Sequence, residues 1–145
     1  MKLFIDTSIF VDVLRSEQVE SSKSLFKSLQ EGDDGFISAI TVAELSVGAY
    51  RSPRIDALEK TLKLLSIVTV VDLSRAIAVE GGRIYAELMK RGEEIELNDC
   101  LIAATSLSLR ILLSKEEISG FGVNAFDNRD MKMDCVIVAL AHDEF

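Results

Sequence analysis

Three acidic residues interrupt apolar sequence. Asp6 closes Lys2-Leu3-Phe4-Ile5, Glu44 sits between Val42-Ala43 and Leu45, and Asp99 opens the run Cys100-Leu101-Ile102-Ala103-Ala104. A carboxylate among apolar neighbours is usually paired or metal-bound when it is buried. Each of the three also has an ordinary reading. Asp6 reads equally well as a helix cap, Glu44 as the far end of a capping box opening at Thr41, and Asp99 as a negative charge favoured at a helix start. Their co-occurrence carries the weight, because three such acids at strand ends and helix starts exceed what three independent caps predict. If they converge, carboxylates ~4 Å apart repel by about 4 kcal/mol at an effective dielectric of ~20, and a divalent cation is the ordinary remedy. Oxygen ligands without histidine or cysteine select Mg²⁺ or Mn²⁺ over zinc or copper.

The elements that position these acids follow from the hydrophobic pattern. Lys2 to Ile5 is too short for a helix and suits a buried parallel strand, which puts Asp6 at its carboxyl end, where open parallel sheets form their ligand crevices. Thr7 or Ser8 is expected to cap a helix from Ile9 to Arg15. Ser21 to Gln30 reads as a helix with Leu25, Phe26 and Leu29 on one face. Phe36-Ile37-Ser38 is a second strand, and a helix opens at Thr41. Pro53 is placed in the first turn of a helix reaching about Leu65, and Ile67 to Val71 is a β-branched strand. Ser74 to Arg91 reads as helical, interrupted at Gly81-Gly82. Leu101, Ile102, Thr105, Leu109 and Leu112 keep helical spacing after Asp99, and that helix is extended towards Ile118. Gly120 to Phe126 and Cys135 to Leu140 complete the strands. Strands alternating with helices imply an α/β sandwich with a mainly parallel sheet. Without an internal repeat or linker, residues 1–145 are expected to form one domain.

Composition narrows the chemistry further. The chain has 145 residues, 48% of them hydrophobic and 28% charged, which suits a globular protein with a single core. No apolar run approaches the ~20 residues of a membrane helix, and no secretory signal pattern opens the chain, so a cytoplasmic location is expected. Cys100 and Cys135 lie in apolar segments and His142 near the end, which disfavours a disulfide framework, a zinc site and histidine catalysis. The net charge of −8 opposes a simple nucleic-acid-binding module. Divalent metals would nevertheless reverse the charge of an acidic pocket that held them.

These motifs resemble the PIN domain family (named for the PilT N-terminus) and, within it, the virulence-associated protein C (VapC) ribonuclease toxins. The opening LFIDTSIFVDVL is similar to the family's first strand and first acid, with Thr7 and Ser8 as its small hydroxyl residues. ISAITVAELSVGAY is similar to the second motif, with Glu44 at the acidic position, and NDCLIAATSLSL to the third, with Asp99 there. The fourth motif departs from pattern. Ala125-Phe126-Asp127-Asn128-Arg129-Asp130-Met131 comes late, and the usual threonine and phenylalanine are replaced. Asp127 is aligned with the fourth acidic position and Asp130 with the outer one, while a rival alignment puts Glu116 in the site.

The resemblance implies a three-layer α/β/α sandwich around a mainly parallel sheet. It also implies a Mg²⁺- or Mn²⁺-dependent endoribonuclease hydrolysing RNA phosphodiesters, the toxin of a toxin–antitoxin pair restrained by a small antitoxin protein. Asp6 and Asp99 would hold the metal, with Glu44 and Asp127 direct or through water, and Thr7 or Ser8 would orient an acid or contact phosphate. A homodimer is implied as well, with Ile55 to Leu65 and Ile84 to Met89 as the apolar stretches it would use. Two other readings stay open: a DNA- or flap-directed nuclease with a related site, and an inactive PIN-like binding module.

Overall fold

The run that ends at Asp6 forms the middle of the sheet. In the computed structural model, which describes residues 2–15, 20–109, 124–125 and 137–139, β1 (Lys2–Ile5) lies between β2 (Asp34–Ser38) and β5 (Ile137–Ala139). Beyond them stand β3 (Thr69–Val71), next to β2, and β4 (Asn124–Ala125), next to β5. β1 pairs in parallel with both neighbours and β2 does so with β3, whereas β4 runs antiparallel to β5. The sheet is thus mainly parallel, as the alternating pattern predicts.

Side chains along a strand alternate between its faces, and the register makes that alternation common to both central strands. Leu3 is opposite Gly35 and Phe4 opposite Phe36. Leu3, Ile5 and Ile37 enter one core with Ile9 and Phe10 of α1 (Thr7–Leu14) and with Leu25, Phe26 and Leu29 of α2 (Glu20–Gln30). Leu45 of α3 (Ala39–Arg51) and Leu65 of α4 (Ala57–Leu65) complete it. Phe10 and Phe26 meet edge to face with centroids 5.5 Å apart, the arrangement that ring quadrupoles favour. Phe4 packs on the opposite side against Ile102 of α6 (Leu97–Ser108), with Phe36 against the same cluster. Ile77 and Ile84 of α5 (Arg75–Lys90) pack there with Cys100 and Ala104. Helices therefore cover both faces, giving the expected α/β/α sandwich.

A buried chain of hydroxyls ties α3 to α6. The Ile40 N–H donates to Ser38 Oγ at 3.2 Å, and Ser38 Oγ lies 3.2 Å from Thr105 Oγ1. Thr105 Oγ1 donates to the Leu101 carbonyl at 2.7 Å. Since the Thr105 proton is committed to that carbonyl, Ser38 is the donor between the two hydroxyls. Ser38 and Thr105 have no exposed surface, so the bond joins the helix bearing Glu44 to the helix bearing Asp99 where water does not compete.

Several boundaries differ from expectation, each for a physical reason. α1 begins at Thr7 because Asp6, not Thr7 or Ser8, is its N-cap, accepting from the Ser8 N–H. α3 begins at Ala39 with Ser38 as cap, so Thr41 lies inside the helix and no capping box forms with Glu44. Pro53 precedes α4 rather than opening it, since the helix starts at Ala57. β3 is confined to Thr69–Val71. α5 runs unbroken through Gly81-Gly82, because Gly81 is buried where α5 lies against Leu101 of α6. α6 starts at Leu97 and ends at Ser108. The proposed extension to Ile118 and most of the proposed strands Gly120 to Phe126 and Cys135 to Leu140 lie outside the described residues.

Candidate functional site

Asp6 leaves the carboxyl end of β1, Glu44 stands in the second turn of α3 just beyond β2, and Asp99 in the first turn of α6. The topology brings all three to the edge of the sheet where parallel strands end, the usual place for a ligand crevice. Ser8 fixes Asp6 by donating its N–H (3.2 Å) and Oγ (2.8 Å) to Oδ2. Thr7 Oγ1 donates to Glu44 Oε2 at 2.6 Å and lies 3.2 Å from Thr41 Oγ1. From the other side, Asn98 Nδ2 donates to Glu44 Oε1 at 3.0 Å. The first, second and third acidic segments therefore meet through Thr7, Glu44 and Asn98.

Electrostatics link the acids as well. Partial burial holds the Asp99 carboxyl above the usual carboxylate range, and the negative charges of Asp6, Glu44 and Glu96 push in the same direction. Asp6 and Glu44 are thus close enough for Asp99 to feel both. The donor set fits a hard cation, since it offers oxygen alone. Among the described residues, however, no group of three or more acidic, histidine or cysteine side chains is closed enough to hold an ion unaided. A cation bound here would need further ligands, from water or from beyond the described residues.

A raised Asp99 has a consequence for stability. The folded protein then binds this proton more tightly than the unfolded chain, whose value stays near 3.8, so stability falls as pH rises through the interval above 3.8 and stays lower beyond it. Asp99→Asn is expected to raise the melting temperature of the metal-free protein at neutral pH. The gain should fade as pH falls to 3.8, which melts in chelator across pH would reveal.

Two recesses flank the acids. One of about 300 Å³ lies between α1, α3 and α4, with Val11, Leu14 and Leu45 as an apolar floor, Arg15, Arg54 and Lys60 along it, and Glu44 on its wall. Arg54 and Lys60 pair with Asp56. The other, of about 730 Å³, contains Asp99 with Glu93, Glu94, Glu96, Tyr85 and Met89. Cys100 is buried beside Asp99, and burial pushes its thiol further above the ordinary range, which suits a packing residue rather than a nucleophile.

Asp127, Asp130, Glu116, Cys135 and His142 lie outside the described residues. The residue that sequence reasoning passed over is Asn98. An exposed Asn in a helix's first turn, next to Asp99, carries no signature of its own, and its contact with a residue 54 positions away is visible only in the fold.

The PIN domain model matches residues 3–118 of this chain. A protein named Ribonuclease VapC2 from Haemophilus influenzae is 32% identical over 122 residues, covering 83% of this chain and 90% of the relative. Among solved structures, VapBC2 from Rickettsia felis bound to a DNA fragment from its promoter superposes with a TM-score of 0.66 at 26% identity, covering 84% of this chain and 92% of that one. VapBC-1 from nontypeable Haemophilus influenzae gives 0.64 at 28% identity, with 84% and 91% covered. Among the described residues, no helix is long and apolar enough to cross a membrane.

Proposed function

The chain belongs to the PIN domain family, and from that premise we propose that it is a divalent-metal-dependent endoribonuclease, the toxin of a VapBC-like pair, built as one domain and acting in the cytoplasm. The observation that supports this reading is the hydrogen-bonded link from Thr7, next to Asp6, through Glu44 to Asn98, next to Asp99, which joins three acidic segments remote in sequence. The relatives named as VapC ribonucleases support the substrate class, and the solved VapBC complexes support a small antitoxin partner.

In this reading Asp6 and Asp99 would hold Mg²⁺ or Mn²⁺, and Glu44 and Asp127 would serve as further ligands directly or through water. A bound ion would act as a Lewis acid on a water and would neutralise the negative charge growing on the non-bridging oxygens of the phosphorane and on the leaving oxygen. Ser8 keeps the Asp6 carboxylate turned to one orientation, and Thr7 does the same for Glu44. Arg15 lines the recess beside Glu44 together with Arg54 and Lys60, which share Asp56 as ion-pair partner, and these cations are the groups there that could meet backbone phosphates despite the chain's net charge of −8.

The test is direct. Unstructured RNA should be cut in Mg²⁺ or Mn²⁺ and spared in chelator, with a matched DNA oligonucleotide left intact. Cleavage of the DNA instead would move the assignment to a DNA-directed nuclease, and no cleavage together with no metal binding would indicate an inert module. Homodimerisation is part of the same proposal. Ile55 before α4, Leu62 of α4 and Met89 at the end of α5 are exposed, as are Val47 and Tyr50 of α3, whereas Leu65 and Ile84 are core. Sedimentation at micromolar concentration checks it.

A further inference from the structure

Glu44 is gripped from two helices at once. Thr7 of α1 donates to Oε2 and Asn98 of α6 donates to Oε1, so each carboxylate oxygen receives one bond and the plane of the group is set. Asn98 Nδ2 can only donate and a carboxylate can only accept, which makes this a charge-assisted bond with one possible direction.

We propose that Asn98 is a positioning residue for the metal site, holding Glu44 in the orientation in which it serves the ion or its water. The inference rests on the metal-nuclease reading and adds a residue that reading does not contain. Two observations separate positioning from a role in stability. The separation of α3 and α6 is already secured by the buried Ser38–Thr105 bond and by apolar packing, so Asn98 is not needed to keep the helices together. Asn98 is also exposed in the first turn of α6, where alanine is the better helix former. With the amide removed, the Thr7 bond is the one that remains on the carboxylate among the described residues, and the group can pivot about it through its terminal torsion. Groups that orient a ligand from behind typically contribute about 10- to 100-fold to metal affinity.

Asn98→Ala tests this in the full chain, with Mn²⁺ as the probe. Calorimetry should show a saturable isotherm with Kd raised about 10- to 100-fold, a melting temperature equal to or above the parent's, and cleavage largely recovered at saturating Mn²⁺. An unchanged Kd overturns the proposal, and so does a lowered melting temperature with an unchanged Kd, which would assign Asn98 to the fold. If the unsubstituted protein shows no saturable Mn²⁺ binding, the metal reading itself fails and this inference falls with it. If the parent binds and the variant binds equally, only the inference is lost.

Discussion

Asp6→Asn is expected to lower metal-dependent RNA cleavage by about 10²-fold or more while leaving the fold intact. The expected loss follows from the role proposed for the carboxylate. A bound cation contributes several kcal/mol of transition-state charge stabilisation, and each ~1.4 kcal/mol lost is a factor of ten in rate. The preserved fold follows from what else Asp6 does. It caps α1 by accepting from the Ser8 N–H, and asparagine ranks with aspartate as a cap, so the side-chain oxygen that terminates the helix is retained while the charge is removed. Removing that charge also relieves one of the repulsions on Asp99, so the metal-free variant should melt no lower than the parent. Single-turnover cleavage alongside thermal melts reads both halves. Undiminished cleavage would remove Asp6 from the site.

That double duty explains why the site was only partly legible in the sequence. A capping aspartate and a metal-binding aspartate occupy the same place at a strand's carboxyl end, and here Asp6 demonstrably caps. Glu44 poses the converse case. The pattern from Thr41 to Glu44 matches a capping box, yet Ser38 is also a capping hydroxyl, and local sequence does not say which is used. Sheet pairing decides it: β2 stays in register with β3 as far as Ser38 opposite Val71, so the helix starts immediately afterwards and Glu44 is released into the second turn, where Thr7 and Asn98 take it. The central strands were legible because their apolar runs are buried on both faces. The acids of motif position were legible because each breaks such a run. Asn98 was not, because it stands in a mainly polar stretch between Glu96 and Asp99 and interrupts no apolar run, and the fourth acid falls outside the described residues. Helix continuity across Gly81-Gly82 was misread for a related reason, since propensity argues against glycine in a helix interior and takes no account of what packs there.

The two adjacent glycines should therefore respond in opposite directions. A Cβ at Gly81 would sit 2.7 Å from Leu101 Cδ2 and 3.2 Å from Leu101 Cα, whereas a Cβ at Gly82 meets nothing within 4 Å. The side-chain contact could be relieved by a rotamer change, but the backbone contact is relieved only by a shift of a few tenths of an ångström between α5 and α6. Gly81→Val, which adds further methyl groups at that crossing, is expected to destabilise by about 2–3 kcal/mol through overpacking. Gly82→Ala should stabilise by about 0.5–1 kcal/mol, as alanine replaces glycine in an exposed helix interior. Urea denaturation of the two variants measures both signs. The consequence extends to the site, because Leu101 lies in the same helix as Asn98 and Asp99. A displacement of α6 moves the amide that holds Glu44 and the carboxylate of Asp99 together, so Gly81→Val should weaken Mn²⁺ binding under conditions where it is still folded, while Gly82→Ala should leave binding alone. Equal stability for the two variants would mean that α5 and α6 are not in the close contact described.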